Sequence, residues 1–537
     1  MEYFRLALRA HPNSVKSIDN IATIYMDAGR FDECILCCKR ALEIRPNYIP
    51  TQSKLMFASA SICNFESSRA VKEAIADLLL DECGRKNLLL HPLMAQMISG
   101  LDESNILEIA KANAARLSGA AGSLFTIFPL DKVQLPRGDG RIKIGYLSSN
   151  FGNTDVGHLI GGIFRLHNRE SFEVFCYSLS RDDFSPWFKA VNIDADHFRD
   201  FSSTENIDAA VRIHQDEIDI LIDLDGYTSA SRPEILSFQP APLQVNYLGH
   251  FGTSGASYIQ YVVVDETIAS EAYMKVNFTE KAIFMPSCAI VNDHMNYPTA
   301  ALEDGNLNEI LDRAMFGISD DVFLYACFHP LHCITEIMFN AWIKILKRTD
   351  GSVLWITKSN SSAEKNLKIK ARSFGVDAER IVFSEPAPYN DNLKRYDLVD
   401  IVLGGLEGLG GITVGVDAIW SGTPMITLIG KQLFNRVEAS CLRNAGLGDL
   451  LITSSIDKYI DLAVQLNFNE FQYMELRKKL ESIHVRSHSE LFDTCKWVRC
   501  FESGLSNAYD SFQVGNPRKN IFCMTGTNCR NNSATSS

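Results

Sequence analysis

The sequence predicts an α/β protein with two Rossmann-like lobes, preceded by an α-helical segment. Two observations predict the lobes. Short strands rich in β-branched and aromatic residues occur in two successive series, and helical patterns alternate with these strands. Such alternation is typical of a parallel sheet covered by helices on both faces. A third observation, an internal repeat near the N-terminus, predicts the helical segment.

The repeat lies in the first 50 residues. Residues 4–13 align with residues 38–47, so that Pro12 and Pro46 occupy equivalent positions 34 residues apart (46 − 12). This is the period of the tetratricopeptide repeat, a pair of amphipathic helices. Each helix presents an apolar stripe that one short repeat cannot bury alone, so we expect the segment to stack on the helices that follow it.

The two strand series define the remaining domains. In the first lobe, strands are predicted at 142–147, 174–179, 218–224, 245–248 and 261–265, with helices at 157–166 and 207–214. In the second lobe, strands are predicted at 323–328, 353–357, 381–384, 401–403 and 425–428, with helices at 338–347, 365–374 and 393–397. The predicted boundaries are 1–50 for the tetratricopeptide segment, 51–140 for a helical connector, 141–291 for the N-terminal lobe, 292–316 for a linker, 317–505 for the C-terminal lobe and 506–537 for a disordered tail.

Composition excludes several classes of function. The 537 residues are 46% hydrophobic and 22% charged, which is typical of a globular protein, and the formal net charge of −13 disfavours nucleic acid as a partner. No apolar run is long enough for a membrane span, and the N-terminus lacks a signal-peptide core. The 14 cysteines are therefore interpreted as free thiols in the cytoplasm, the nucleus or both. No metal site is predicted, because Cys34 and Cys38 fall on the apolar stripe of a repeat helix.

A glycine-rich loop between a strand and a helix is the strongest candidate site. It occupies residues 403–422, and the predicted strand at 401–403 leads into it. This arrangement directs backbone N–H groups and a helix N-terminus towards a phosphate. Asp417 lies one turn inside the helix, where its carboxylate could reach a sugar hydroxyl. The loop contains no Lys, Arg or His, so an anion there would rely on backbone amides and on the hydroxyl of Thr413.

The residues of this loop carry a family resemblance. Residues 413–425, Thr-Val-Gly-Val-Asp-Ala-Ile-Trp-Ser-Gly-Thr-Pro-Met, resemble the donor-site motif of the protein O-GlcNAc transferases. Residues 144–153 are similar to the opening of the catalytic region of that family. Further similar motifs lie at 225–228, 239–244, 252–256 and 435–440. Several motifs agree in order and spacing, and the resemblance runs from about residue 4 to about residue 501.

The resemblance implies a fold and a reaction. The implied fold is the GT-B architecture of two Rossmann-like lobes with a cleft between them. The implied reaction is an inverting, metal-independent transfer of N-acetylglucosamine from UDP-GlcNAc to Ser or Thr of intracellular proteins. UDP-GlcNAc is then the donor substrate, and no cofactor is needed. The acceptors are proteins, with the tetratricopeptide segment as a candidate docking element.

The resemblance also implies roles for individual residues. The implied catalytic residues are His158 and Asp216, and the implied donor-binding residues are Thr413, Asp417, Tyr389 and Arg436. Structural roles remain open alternatives. Asp417 could serve the helix dipole and Thr413 could cap the helix. His158 could be a capping or core histidine, and Asp216 could be a solvent-exposed acid at a helix end.

Several positions depart from the family pattern. Thr154 replaces a histidine, Cys333 a phosphate-binding lysine, Tyr389 a lysine, and Asn392 and Ile412 two histidines. The substitutions favour a second interpretation, a catalytically inactive pseudoenzyme that uses the same fold as a protein-binding scaffold. A third interpretation is a related transferase with another sugar donor.

Overall fold

A computed structural model describes residues 2–80, 90–98, 100–124, 128, 140–296, 311–406, 411–485 and 489–523. The predicted linker at 292–316 and the glycine loop therefore lie partly outside the described residues. The chain forms two compact units. The first unit comprises Met1–Ile109, Ile310–Asn435 and Leu451–Leu480, and the second comprises Ala110–Glu309, Arg436–Leu450 and Glu481–Ser537.

The N-terminal region is helical. Its described helices are α1 (Glu2–Ala10), α2 (Val15–Asp27), α3 (Phe31–Ile44), α4 (Ile49–Ser61), α5 (Phe65–Leu80), α6 (Pro92–Ala95) and α7 (Glu103–Leu124). Helices α2 to α5 pack in succession around a small core that contains Cys34, Cys38 and Leu55. The two cysteines are thus core residues, as the apolar stripe indicates. A partly buried ion pair between Asp19 and Lys54, at 2.9 Å, connects α2 to α4.

The N-terminal lobe alternates strands and helices. Its elements are β1 (Ile142–Ser148), α8 (Asp155–Leu166), β2 (Phe172–Ser178), α9 (Pro186–Asp194), β3 (His197–Asp200), α10 (Asn206–Gln215), β4 (Ile220–Asp223), α11 (Pro233–Ser237), β5 (Leu243–Asn246), β6 (Tyr261–Val264), α12 (Glu271–Asn277) and β7 (Lys281–Phe284). Hydroxyl side chains cap three of these helices. Thr154 accepts a hydrogen bond from the N–H of Gly157, Ser185 accepts one from the N–H of Phe188, and Ser270 accepts one from the N–H of Tyr273.

The C-terminal lobe follows the same plan. Its elements are β8 (Leu324–Cys327), α13 (Glu336–Arg348), β9 (Val353–Thr357), α14 (Ser361–Ser373), β10 (Ile381–Ser384), α15 (Tyr389–Tyr396), β11 (Ile401–Leu403), α16 (Val414–Trp420), β12 (Met425–Leu428), α17 (Phe434–Asn444), α18 (Gly448–Leu451), β13 (Ile452–Thr453), α19 (Ile456–Phe468) and α20 (Glu470–Val485). The chain ends in α21 (Thr494–Gln513) and β14 (Ile521–Phe522). Short 3₁₀ turns occur at His294–Asn296, Arg313–Phe316, Leu331–Cys333 and Ala378–Arg380.

Two parallel sheets organise the lobes. The eight-stranded sheet has the order β14-β7-β6-β5-β4-β1-β2-β3, and the six-stranded sheet has the order β10-β9-β8-β11-β12-β13. All described strand pairs are parallel. The predicted fold class is therefore confirmed. Sequence patterns missed β3, β7, β13 and β14, which are short and lie at or near sheet edges, where the apolar signal is weak.

The prediction of a disordered tail at 506–537 is wrong for residues 506–523. Helix α21 continues to Gln513, and β14 adds to the edge of the sheet beside β7. The side chain of Asn520 accepts a hydrogen bond from the N–H of Ala282 at 3.0 Å, and Ile521 is buried. The local sequence is polar and does not indicate a buried strand. Residue Ile521 is buried because β14 pairs with β7, which is distant in the sequence. Residues 524–537 lie outside the described residues.

The assignment of residues 317–505 to one lobe also needs correction. Residues 436–450 and 481–505 belong to the second unit, which contains the N-terminal lobe. Helix α21 packs on α8, and Glu502 accepts hydrogen bonds from the N–H of Asn168 at 2.7 Å and from the ring of His167 at 3.0 Å. This buried carboxylate fixes the C-terminal helix to the N-terminal lobe.

None of the helices in the described part of the chain combines the length and apolar character that crossing a bilayer requires.

Removing residues 516–537 is expected to lower the free energy of unfolding by about 2–4 kcal/mol, because β14 and its buried side chains are lost. Thermal or urea unfolding measures this change. The matched control removes residues 524–537 alone and keeps β14. Equal stability of the two truncated proteins would show that β14 contributes nothing.

Candidate functional site

The strand order of the second sheet places a crevice beside the glycine loop. The order reverses between β8 and β11, and ligands of open α/β sheets bind outside the carboxyl ends of the strands at such a point. Two segments leave the sheet here. They are the turn at 328–333, which follows β8, and the loop at 404–411, which follows β11. We call this place the β8–β11 crevice.

The described ends of the glycine loop make close backbone approaches. Gly405 and Gly411 have φ values of +79° and +72°, which favour glycine. A Cβ on Gly405 would lie 2.4 Å from the backbone nitrogen of Leu428, and a Cβ on Gly411 would lie 2.7 Å from Cδ2 of His329. Residues 407–410 are outside the described residues. The loop thus packs directly on β12 at one end and on the turn after β8 at the other.

Asp417 and Tyr389 meet at the β8–β11 crevice. Asp417 is 1% exposed, and its Oδ1 accepts a hydrogen bond of 2.7 Å from the hydroxyl of Tyr389 at the start of α15. The backbone carbonyl of Thr413 accepts a hydrogen bond from the N–H of Asp417 at 2.8 Å. The hydroxyl of Thr413 does not cap α16, so the capping alternative is wrong for this residue. Three of the four predicted donor-binding residues therefore lie together.

The substituted positions give the same crevice an apolar character. Cys333 is 1% exposed at the end of the 3₁₀ turn, and Ile412 is buried beside Thr413. Asn392 lies in the first turn of α15, where its N–H donates to the carbonyl of Pro388. His332 packs on the ring of Phe57, with 4.8 Å between the ring centroids. Cys333, Ile412 and Asn392 thus lack the lysine or histidine that the family resemblance predicts at these positions.

Arg436, the fourth predicted donor-binding residue, belongs to the second unit. Its Nη1 donates to the carbonyl of Ile268 at 3.2 Å, and its guanidinium lies 5.1 Å from the ring centroid of Tyr273.

A second strand switch occurs in the N-terminal lobe, between β1 and β4. There the buried Asp225 accepts hydrogen bonds from the Ser148 hydroxyl at 2.7 Å, the Ser149 N–H at 2.6 Å and the Asn150 amide at 2.8 Å. Asp223 lies two residues earlier and accepts from the N–H groups of Asp225 and Gly226. Burial, together with the nearby charge of Asp225, raises the pKa of Asp223 to about 7.

Asn246 adds a polar group at the same edge of the sheet. It ends β5 in register with Asp223 and is 1% exposed. Among the described residues, neither atom of its side-chain amide has a hydrogen-bond partner. Sequence reasoning missed both Asp223 and Asn246. The signal was the alternation Asp-Leu-Asp at the end of a buried strand, which places two carboxylates on one face.

His158 and Thr154 lie at the start of α8. Nε2 of His158 donates to the side-chain oxygen of Asn153 at 2.8 Å, and the ring packs on Trp187. Burial, with a smaller contribution from the nearby His294, lowers the pKa of His158 to about 3. The imidazole is thus neutral at physiological pH and is a weak base. Thr154, which stands where the family has a histidine, caps α8 and so has a structural role.

Asp216 is held in an ion pair, and its catalytic role stays a prediction. Its two carboxylate oxygens accept hydrogen bonds of 2.6 Å from Nε and Nη2 of Arg199, and the hydroxyl of Tyr177 donates to it at 3.0 Å. Asp216 follows α10 and precedes β4, whereas His158 follows the carboxyl end of β1. Because β1 and β4 are parallel, Asp216 and His158 lie at opposite edges of the sheet.

Comparisons with known proteins agree with this architecture. The sequence model of Glycosyl transferase family 41 matches residues 124–303 and 295–501, and a tetratricopeptide repeat model matches residues 20–48. A relative from Arabidopsis thaliana, described as a probable UDP-N-acetylglucosamine–peptide N-acetylglucosaminyltransferase SEC, is 37% identical over 407 residues, which are 75% of this chain and 41% of that protein. A relative from Caenorhabditis elegans, described as a UDP-N-acetylglucosamine–peptide N-acetylglucosaminyltransferase, is 27% identical over 72% of this chain and 42% of its own length. The chain thus spans about two fifths of the length of these curated relatives.

Among solved structures, an O-GlcNAc transferase from Thermobaculum terrenum has the same fold. Its TM-score is 0.75 at 22% sequence identity, with 95% of this chain and 92% of that chain covered.

Asp223→Asn is expected to remove a pH dependence of stability. The folded-state pKa of about 7 lies above the unfolded value of about 3.9, so the contribution of Asp223 is complete below pH 4 and is lost as the pH rises through 7. The variant should gain about 3–4 kcal/mol relative to the parent protein between pH 4 and pH 8. Urea unfolding across this range measures the gain, with the exposed Asp200→Asn as control. Parallel pH profiles of parent and Asp223→Asn would contradict the assignment.

Tyr389→Phe is expected to lower the free energy of unfolding by about 1.5–3 kcal/mol, because a buried hydrogen bond to a carboxylate is lost. The exposed Tyr3→Phe is the control, and urea unfolding is the measurement. An unchanged midpoint for Tyr389→Phe would mean that the contact with Asp417 contributes nothing.

Proposed function

Because the chain belongs to glycosyl transferase family 41, we propose that it transfers N-acetylglucosamine from UDP-GlcNAc to Ser or Thr side chains of proteins. The observation that carries the proposal is the buried carboxylate of Asp417, one turn inside a helix that begins at a strand switch point. In open α/β sheets this is the place where nucleotides bind. The two relatives described above are named for this activity.

The proposed binding mode assigns a task to each described group. The ribose hydroxyls of the donor donate to Asp417 and compete there with the hydroxyl of Tyr389. The hydroxyl of Thr413 and the N–H groups that follow it donate to the diphosphate. The proposed transfer is inverting and needs no metal, as the family resemblance implies. The leaving diphosphate is then stabilised by hydrogen bonds alone.

The acceptor hydroxyl is proposed to bind at the carboxyl edge of the N-terminal lobe. Asp223 and Asn246 offer it a carboxylate and an amide that lie in register on neighbouring strands. A carboxyl group whose pKa is about 7 can accept a proton at physiological pH better than His158, whose pKa is about 3. Asp216 is paired with Arg199, so we assign Asp216 no part in the proposed transfer.

A second candidate function is a pseudoenzyme that binds proteins. The burial of Cys333 and Ile412 favours it, because the two positions expected to carry phosphate-binding cations are instead apolar. Hydrogen bonds to charged groups contribute about 1.5–3 kcal/mol each. The loss of two would weaken UDP binding by about 3–6 kcal/mol, on the order of 10²–10⁴-fold.

The proposed setting is the cytoplasm, the nucleus or both, with proteins as acceptors and the tetratricopeptide segment as a docking element. The 14 cysteines of the sequence, interpreted as reduced thiols, support a reducing compartment. Imaging of the tagged full-length protein in its own cells tests the location, and a secreted product would contradict it.

UDP titration by calorimetry tests the donor site. We expect measurable binding by the parent protein and at least tenfold weaker binding by Asp417→Ala, a loss of about 1.4 kcal/mol or more. Asp461→Ala, an exposed acid on α19, is the control. Equal affinity of Asp417→Ala and the parent would refute the assignment of Asp417.

The double variant Cys333→Lys with Ile412→His separates the two candidate functions. If only phosphate neutralisation has been lost, the two cations should tighten UDP binding at least tenfold. Radiolabelled transfer to a peptide library then reports whether catalysis is retained. Unchanged UDP binding would show that the two positions no longer face a phosphate.

A further inference from the structure

The N-terminal helical segment packs directly on the turn that follows β8. On α4, the ring of Phe57 lies against the imidazole of His332, with centroids 4.8 Å apart and planes inclined by 40°. Just beyond α4, the thiol of Cys63 points at the carbonyl oxygen of Leu331, 3.8 Å away. Both contacts are made to the 3₁₀ turn Leu331–Cys333, which borders the β8–β11 crevice.

Hydrogen bonds hold α4 at this place. Helices end in carbonyl groups without helical partners, and here the C-terminal lobe supplies the donors. The side-chain amide of Asn360 donates to the carbonyl of Ser61 at 2.9 Å, and that of Asn366 donates to the carbonyl of Ile62 at 2.8 Å. The first unit therefore contains α4 and the C-terminal lobe as one packed body.

The same turn reaches the glycine loop on its other side. His329 is 5% exposed, and its ring lies against the α-carbon of Gly411, since a Cβ there would be 2.7 Å from Cδ2. Gly411 immediately precedes Ile412 and Thr413. A continuous path of packed groups thus leads from Phe57 through the 328–333 turn to the residues that are proposed to receive the diphosphate.

We propose that Phe57 is a positioning residue for the donor site. It holds the 3₁₀ turn, and through His329 it holds Gly411 and Thr413, in the conformation that accepts a nucleoside diphosphate. This inference rests on the proposed function, since it concerns the same crevice. The helical segment, which carries the repeat, then also supports the turn that borders the proposed donor site. By linkage, a bound nucleotide also stabilises the contact between α4 and the turn.

Phe57 is suited to a test because it lies at the margin of the helical core. Its ring contacts Phe31 at 6.3 Å, and it is only partly buried. Tyr25 on α2 is also partly buried and packs against the core of Cys34, Cys38 and Leu55. Alanine at either position removes an aromatic ring from the helical segment, and only the Phe57 variant removes the contact with His332.

The experiment compares UDP binding by full-length Phe57→Ala and Tyr25→Ala, measured by calorimetry at a temperature well below both melting points. We expect Phe57→Ala to weaken UDP binding at least fivefold and Tyr25→Ala to change it less than twofold. Phe57→Tyr, which keeps the ring, should restore the parent affinity. Equal weakening by both alanine variants, or lowered stability of Phe57→Ala with unchanged affinity, would overturn the proposal.

A second measurement needs no ligand and distinguishes the proposal from the proposed function. Amide hydrogen exchange of residues 328–333 and 411–413 should accelerate in Phe57→Ala and stay unchanged in Tyr25→Ala. If the parent protein binds no UDP at all, the proposed donor site fails. In that case the exchange data alone test whether Phe57 positions the turn. Equal exchange rates in the two variants would reject this role.

Discussion

The parallel pairing of β8 with β11 is the constraint on which the candidate site depends. Tyr325 pairs with Ile401 and Ala326 pairs with Val402, so both strands end at the same edge of the sheet. The turn after β8 and the glycine loop after β11 must therefore leave side by side. Helix α16 then begins at the edge of the sheet, with Asp417 one turn from its start. These strands are fully buried, so the register cannot shift without exposing the core.

Buried carboxylates occur at the strand switch point of each sheet. Asp417 has a hydroxyl donor, Asp225 has three polar donors, and Asp223 has two backbone N–H groups. Buried charge of this kind persists only where hydrogen bonds offset the cost of desolvation. The cations that would balance a diphosphate are absent from positions 333, 389, 392 and 412. Under the proposed function, the β8–β11 crevice offers Asp417 as an acceptor for hydroxyl groups and lacks these cations, so the affinity for UDP separates an enzyme from a scaffold.

The helical segment and the C-terminal lobe share one packed body. Arg69 pairs with Glu336 at 2.9 Å, and Lys370 pairs with the same carboxylate at 2.7 Å. Partly exposed ion pairs contribute little individually. The amide contacts at the end of α4 add hydrogen bonds for the carbonyl groups of Ser61 and Ile62, which have no helical partners.

The sequence by itself determined the fold class, the central strands and the candidate donor motif. Buried strands are continuous apolar runs and helices repeat every 3.6 residues, so these elements are encoded locally. Thr413, Asp417 and Tyr389 could be proposed from the sequence because each lies in a motif at the end of such an element. Only the tertiary structure decided which groups meet. Tyr389 and Asp417 are 28 residues apart in the sequence. Asp216, after α10, pairs with Arg199 on β3, and β14 pairs with a strand more than 200 residues away. Local patterns specify whether a residue is buried. The identity of its partner depends on long-range packing, which no local pattern contains.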